Sequence, residues 1–352
     1  MKATRYYGRH DIRTEDIPEP EVAAGYVKVK NEWTGICGTD LHEYSDGPMF
    51  CPAHGASHPI TGATLPIVLG HEISGVVSEI GEGVTKVRVG DRVAVEPYVV
   101  CNECEFCKEG RYNICTTSAF LGLSGTSGGF AEFCVQEERF VHPLGEISTE
   151  VGALVEPLSV AHHAVVRSGV KSGQTAAVIG AGPIGLFVSE ILRAIGVETV
   201  YNVEISAIRK AKAQAAGSTL VIDPTEEDVV KKIHELTGGR GVDVAFEAVG
   251  VSKALQSAID VTKNGGNVVN ISIWSHKAEI DLFGLVAREV SLIGTLAYCS
   301  NHAAVIKLLQ DGKLKNMEQY ITGRIGAEDI IEKGLEELIH HNDKNVKILV
   351  HP

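Results

Sequence analysis

The chain has no surplus of positive charge: 32 lysines and arginines face 45 aspartates and glutamates, for a formal net charge of −13 over 352 residues. Without a basic stripe to neutralise phosphates, nucleic acid and anionic membrane surfaces are excluded as expected partners. A long uninterrupted apolar run is also missing. The most apolar window, Ala176 to Val197, is broken by five glycines or prolines and by Glu190 and Arg193. It therefore reads as a buried strand and helix rather than a membrane span. Met1 to Tyr7 carries charges where a secretory leader would have its apolar core, so a cytoplasmic protein is expected. Internal repeats and low-complexity segments are lacking as well. In such a chain, eight cysteines point to metal binding or catalysis rather than to disulfides.

What is present is an ordinary globular composition, 44% hydrophobic and 22% charged, in a chain long enough for two domains. Residues 1–155 read as a β-rich unit. Short alternating runs such as Val27 to Lys30 and Gly75 to Ile80 are separated by turn signals such as Val89-Gly90-Asp91-Arg92, which suggests a partly open barrel. From 156 to 294 strands alternate with helices. The expected strands are Thr175–Gly180, Thr199–Val203, Thr219–Ile222, Val242–Glu247, Asn267–Ile271 and Val290–Gly294, six as a complete doubly wound parallel sheet requires. Residues 295–352 hold helix-like Ala303–Leu309 and Ile330–Leu338 and strand-like Val346–Val350, and their simplest placement is back against the first domain.

Gly180-Ala181-Gly182-Pro183-Ile184-Gly185 lies between the first of those strands and a helix. A G-x-G-x-x-G in that context, with an acid at the end of the next strand, is a dinucleotide-binding fingerprint. Gly180 permits the tight turn, Gly182 lets the backbone approach a pyrophosphate, and Gly185 lets helix and strand pack closely. The anion would sit on the helix N-terminus. Glu204 would accept hydrogen bonds from the adenosine ribose hydroxyls and repel a 2′-phosphate, so NAD is expected rather than NADP. Val249, Ile273 and Thr295 fall at the ends of later strands, where the backbone would meet the nicotinamide half.

Two metal sets stand out. Cys101, Cys104, Cys107 and Cys115 offer four thiolates within fifteen residues, enough to surround one structural zinc. The alternatives are a redox pair or disulfides. Cys37, His71 and Glu156 are dispersed, and each alone reads equally well as a core thiol, a core histidine or a helix-start acid. Together they supply sulfur, nitrogen and oxygen ligands with a fourth position open, the pattern of a catalytic zinc. Cys51, Cys134 and Cys299 lack such company and read as free or buried thiols.

Gly70-His71-Glu72, the stretch Gly35 to Asp40, the four-cysteine lobe, Glu156-Pro157 and the glycine fingerprint follow one another as in zinc-dependent medium-chain alcohol dehydrogenases. The chain resembles that superfamily over nearly its whole length. Within it, His42-Glu43-Tyr44, the Pro48-to-Pro66 insertion, Phe120 to Gly125 and Ala153 to Pro157 look most like (R,R)-2,3-butanediol dehydrogenases, with sorbitol dehydrogenases as the nearest relatives. The resemblance implies an α/β protein built from a GroES-like catalytic domain and a Rossmann domain. It implies two zincs per chain, the catalytic one on Cys37, His71 and Glu156, with Glu72 able to enter or leave its shell. It also implies that Thr39 and His42 relay the proton released when a hydride passes to NAD, and that Arg209 lies against the adenosine ribose. A homodimer or homotetramer paired at the sheet edge is expected.

The expected substrate is a small diol or hydroxyketone, because Pro48, Met49, Phe50 and Ile60 suit a short substrate better than a polyol. His54 and His58 share that loop and read as solvent-exposed. Two other readings compete: a polyol or threonine dehydrogenase, and a catalytically silent NAD-binding protein, against which the intact Cys37, His71 and Glu156 argue.

Overall fold

Valines and isoleucines at alternate positions give the first part of the chain strands with one apolar face. In the computed structural model, which describes residues 1–274 and 276–352, Val27, Val29, Ile73, Val77, Val93, Val95 and Val141 bring those faces together in one core. The chain divides into two compact units. The first contains Met1–Glu156, His302–Gln310 and Lys315–Pro352; the second contains Pro157–Asn301 and Asp311–Leu314.

The main sheet of the first unit runs Val141–Pro143, Arg92–Val95, Glu72–Ile80, Tyr26–Gly35, Lys347–His351, Ile321–Gly326, with Phe133–Glu137 also paired to Tyr26–Gly35. Its pairs are antiparallel except that between Ile321–Gly326 and Lys347–His351. The last strand of the chain thus lies beside Tyr26–Gly35, with Leu349 opposite Gly35. Gly35 is also opposite Glu72. A Cβ on Gly35 would fall 1.9 Å from the Glu72 Oε2, so only glycine leaves room for that carboxylate. Helix Gly38–Asp46 starts here, its first turn fixed by the Cys37 N–H donating to Asp40 Oδ2 at 2.9 Å. The helical periodicity of Ile330–Leu338 resolves into a π-helical turn, Ile330–Leu335, that continues as α-helix Glu336–His340. The pattern of apolar residues gives the buried face but does not distinguish the wider turn.

In the second unit every strand pair is parallel, and the spatial order is Leu220–Ile222, Thr199–Val203, Thr175–Ile179, Val242–Glu247, Thr262–Asn270, Ser291–Gly294. The sheet is therefore doubly wound, with the first strand central and the direction of winding reversing between it and Val242–Glu247. Ala177, Ile179, Val203, Ala245, Leu255 and Ile259 are buried against one face. Gly180 follows the central strand with φ of 95° and leads into helix Pro183–Ala194, whose N-cap is Gly182. At Gly185 a Cβ would meet the Gly180 carbonyl oxygen at 1.9 Å, so the helix can pack this close only on glycine. Among the described residues no helix is long and apolar enough to cross a membrane.

Candidate functional site

The four lobe cysteines lie within fifteen residues, around short helix Glu105–Lys108 and the turn Tyr112–Ile114. Their sulfurs all lie within 4.8 Å of one another. Cys115 Sγ is 3.5 Å and Cys107 Sγ 3.9 Å from Cys101 Sγ. Four sulfurs about 2.3 Å from one tetrahedral ion would stand roughly 3.8 Å apart, so the residues fit a zinc with little rearrangement. Backbone N–H groups of Glu103 and Cys104 pull the Cys101 thiol down to about 6, toward the thiolate an ion needs. Among the described residues none of the eight cysteines is in a disulfide.

The second set also lies in the first unit. Cys37 precedes helix Gly38–Asp46, His71 precedes strand Glu72–Ile80, and Glu156 is in the first turn of helix Val155–Ser168. His71, 4% exposed, hydrogen-bonds the Cys37 side chain and lies within the field of Glu156. Burial disfavours its charged form, yet Asp40, Cys37 and Glu156 together push it well above its ordinary value. Its Nδ1 faces Asp40 Oδ1 at 3.7 Å, and neither atom has a hydrogen-bond partner. Histidine ligands usually turn their second nitrogen to such a carboxylate.

Glu72, next in sequence, is 1% exposed, and its Oε2 also has no hydrogen-bond partner. Its Oε1 accepts from Lys347 Nζ at 2.6 Å, and that ammonium also donates to the Ile36 carbonyl at 3.0 Å. Asp40, Glu72 and Glu156 thus gather three buried carboxylates, with the Cys37 thiol, in the field of only Lys347 and His71, an excess of acids whose burial calls for a further positive charge. Orphaned buried oxygens and nitrogen among sulfur, nitrogen and carboxylate donors fit a zinc ion. Thr39 Oγ1 accepts from Cys37 Sγ at 3.6 Å, beside this set, and His42 is half-buried one turn further along the helix.

In the second unit the candidate cofactor residues gather at the C-terminal edge of the parallel sheet. Glu204, at the end of Thr199–Val203, accepts from the Ala181 N–H at 2.8 Å through Oε2 and from Ile205 and Ser206 N–H groups through Oε1. A carboxylate has roughly four lone-pair sites, so about one remains, on Oε2, beside the glycine turn. Arg209, one turn into helix Ala207–Ala215, brings Nη1 to 4.0 Å from where a Cβ on Gly182 would stand. Pro183 and Ile184 form the first turn of the helix behind it. Val249 and Ile273 are about half exposed, and the Thr295 hydroxyl is buried with no hydrogen-bond partner.

Three contributors escape a reading by motif. Asp40 lies inside a quoted stretch, but only its burial beside His71 gives it a role. Lys347 is 275 residues from the Glu72 it contacts, and nothing local marks it. Glu247, fully buried, accepts from the Val249 and Gly250 N–H groups at 2.8 Å each and from the Ser272 hydroxyl. It orders the loop after its strand and engages these two amides, which leaves the carbonyl oxygens of that loop to meet a cofactor.

In the Pro48-to-Pro66 insertion, Met49, Phe50 and Cys51 N–H groups all donate to the buried Glu43 carboxylate, which fixes the start of the loop. Met49 and Phe50 are each 43% exposed, His54 is exposed, and His58 is half-buried.

The description "Alcohol dehydrogenase GroES-like domain" fits residues 23–146, and "Zinc-binding dehydrogenase" fits residues 183–311. The (R,R)-butanediol dehydrogenase of Neisseria gonorrhoeae is 46% identical over 354 residues, covering 100% of this chain and 99% of that protein. The crystal structure of 2R,3R-butanediol dehydrogenase from Bacillus subtilis superposes with a TM-score of 0.93 at 44% identity, over 100% of this chain and 99% of that one. Sorbitol dehydrogenase of Bacillus subtilis is 32% identical, covering 100% of this chain and 97% of its own length. With both of its characteristic domains matched and full-length relatives at this identity, the chain belongs to the zinc-binding alcohol dehydrogenase family, whose members oxidise and form CH–OH groups.

Proposed function

We propose that this enzyme interconverts (R,R)-2,3-butanediol and acetoin, and acetoin and diacetyl, with NAD(H) as the hydride carrier. The observation that carries the reading is the convergence of half-buried Cys37 with buried His71 and Glu156 in a chain 46% identical over its full length to a butanediol dehydrogenase. Those three residues would hold the catalytic zinc, and the lobe cysteines a second, structural one. When bound, the catalytic ion supplies Lewis acidity toward the carbinol oxygen and the nicotinamide supplies the hydride acceptor.

The protein's own residues do the rest. Asp40 holds the His71 ring, and Lys347 holds Glu72 by one oxygen while the other stays available to the metal shell. Thr39 Oγ1 takes the hydroxyl proton, and His42, partly open to water, passes it out. Glu204 favours an unphosphorylated ribose and so NAD, and Arg209 and the glycine turn cradle the adenosine end. In this reading residues 1–155 are the catalytic domain and 156–294 the NAD domain, and of residues 295–352 it is His302–Gln310 and Lys315–Pro352 that return to the first. Thiols placed as ligand donors rather than in disulfides support a cytoplasmic setting.

Apolar Met49 and Phe50 on an insertion tied down by Glu43 support a four-carbon substrate over a hexitol. The test is the initial rate of NADH formation with (R,R)-, (S,S)- and meso-2,3-butanediol, sorbitol, xylitol and threonine, on the wild type and Cys37→Ala. Preference for diols with an R carbinol, abolished in Cys37→Ala together with about one zinc per chain, is expected. A preference for sorbitol or threonine would overturn the substrate, and full activity in Cys37→Ala would overturn the metal site.

A further inference from the structure

Away from both candidate centres, three ligand-type side chains meet inside the first unit. Glu96 follows strand Arg92–Val95, His142 lies in strand Val141–Pro143 next to it, and His302 opens helix His302–Gln310. They are 1%, 8% and 0% exposed, and their ligand atoms all lie within 4.8 Å of one another. Glu96 Oε2 is 2.9 Å from His142 Nε2 and 3.6 Å from His302 Nδ1. The two imidazoles stack, with centroids 5.2 Å apart and planes inclined by 24°, so both present a nitrogen to one carboxylate oxygen. Ligands about 2.1 Å from one tetrahedral ion stand roughly 3.4 Å apart. The His302 contact is already near that separation and too long for a hydrogen bond; the His142 contact needs to open by about half an ångström to reach the same separation.

The surroundings suit a built ligand set. Tyr112, from the cysteine lobe, donates its hydroxyl to Glu96 Oε1 and so orients Oε2 toward the histidines. The Glu96 backbone is pinned on both sides, its N–H donating to the Phe140 carbonyl at 2.8 Å and its carbonyl accepting from Gln136 Nε2 at 2.7 Å. Lys86 also lies in the field of this carboxylate, but its ammonium donates to the Arg139 carbonyl at 2.9 Å.

We propose that Glu96, His142 and His302 bind a further divalent ion of the zinc class, which clips the returning helix and the cysteine lobe to the edge of the main sheet. Two histidines and one carboxylate form an established zinc ligand set with one position left for water. The competing arrangement is a carboxylate paired with protonated histidine and no metal.

The test is metal stoichiometry by difference, which depends on neither the substrate nor the cofactor assigned above. The full chain is stripped with chelator, reloaded with cobalt(II) or zinc, desalted and analysed for metal per chain and for visible absorption. His302→Gln and Glu96→Gln are compared with the wild type; Glu96→Gln preserves the side-chain shape and can keep the Tyr112 and His142 hydrogen bonds. Each variant is expected to bind one equivalent less than the wild type. The lost cobalt should remove ligand-field absorption while the thiolate-to-cobalt charge-transfer band of the cysteine-containing sites keeps its full intensity. Equal stoichiometry in wild type and either variant would overturn the proposal, as would a lost equivalent that takes thiolate charge-transfer intensity with it.

Discussion

Lys347 and Glu72 form a pair that is 3% and 1% exposed at 2.6 Å, and removing either leaves a buried charge without its partner. Burial alone would lower the lysine, but Glu72 and Cys37 raise it above its ordinary value, so it is charged throughout the neutral range. Lys347→Met should cost about 3–5 kcal/mol of stability, the usual penalty for an orphaned buried charge. Adding Glu72→Gln to that variant should restore a large part of it. Urea unfolding of the two single variants and the double variant measures this; additive losses would show that the pair is not coupled. A second prediction at this scale concerns Glu204. Its replacement by Ser removes both the anion that disfavours a 2′-phosphate and the acceptor of the Ala181 N–H. A charged hydrogen bond is worth roughly 1.5–3 kcal/mol, so kcat/KM for NAD should fall by about 10- to 100-fold while that for NADP rises. Unchanged discrimination between the two cofactors would remove Glu204 from the ribose site.

Between elements, Asp243 joins the start of strand Thr175–Ile179 to strand Thr262–Asn270 where the register of that strand shifts. It accepts from the Thr175 N–H and hydroxyl at 2.8 Å each and from Lys263 Nζ at 2.6 Å. Burial works against its charge, but Lys263 and Thr175 hold the carboxyl down at about 2. A depressed folded-state value means that the contribution is complete above the unfolded value near 3.9 and is lost as pH falls toward 2. Allowing for solvent screening, Asp243→Asn should cost about 1–2 kcal/mol at neutral pH and flatten the loss of stability between about pH 4 and 2. Melting temperatures of wild type and variant across that range decide it. The cysteine lobe behaves differently, because its few helical residues hold little packing of their own. Cys101→Ala should lose about one zinc per chain and loosen the lobe, seen as faster proteolysis within residues 101–115, with the second unit unaffected. Zinc content equal to wild type would show that the four sulfurs do not hold an ion.

The same contrast explains what was legible in the sequence. Cys101 to Cys115 and Gly180 to Gly185 are contiguous, so spacing alone announces that their atoms can converge, and six alternating strands announce a parallel sheet. Asp40, Lys347 and Glu247 act through contacts created by tertiary pairing. Lys347 reaches Glu72 only because the final strand is inserted beside Tyr26–Gly35, a pairing with no local signature. Glu96, His142 and His302 are likewise unremarkable singly, being 46 and 160 residues apart along the chain. The π-helical turn at Ile330–Leu335 escapes for another reason: helical periodicity reports which face is buried, and a single widened turn hardly alters it.

For the molecule as a whole, the edge of the parallel sheet carries the last prediction. Strand Ser291–Gly294 pairs only with Thr262–Asn270 among the described residues, so its other side offers unpaired N–H and carbonyl groups. Leu282, Phe283 and Val286 on the preceding helix Leu282–Ala287 are 64%, 78% and 67% exposed, and Leu292 on the edge strand is 41% exposed. An open edge flanked by large apolar side chains is an aggregation hazard unless something covers it, and a second copy of the same strand, related by a two-fold axis, would satisfy both its backbone and its apolar neighbours. The enzyme should therefore sediment as a dimer or tetramer at micromolar concentration. Phe283→Asp combined with Leu282→Asp should shift it toward monomer, because burying two carboxylates in that contact would cost several kcal/mol. Sedimentation of the wild type as a monomer of 37.6 kDa would remove the edge as a self-association surface, and an unchanged oligomer in the double variant would move the contact elsewhere on the chain.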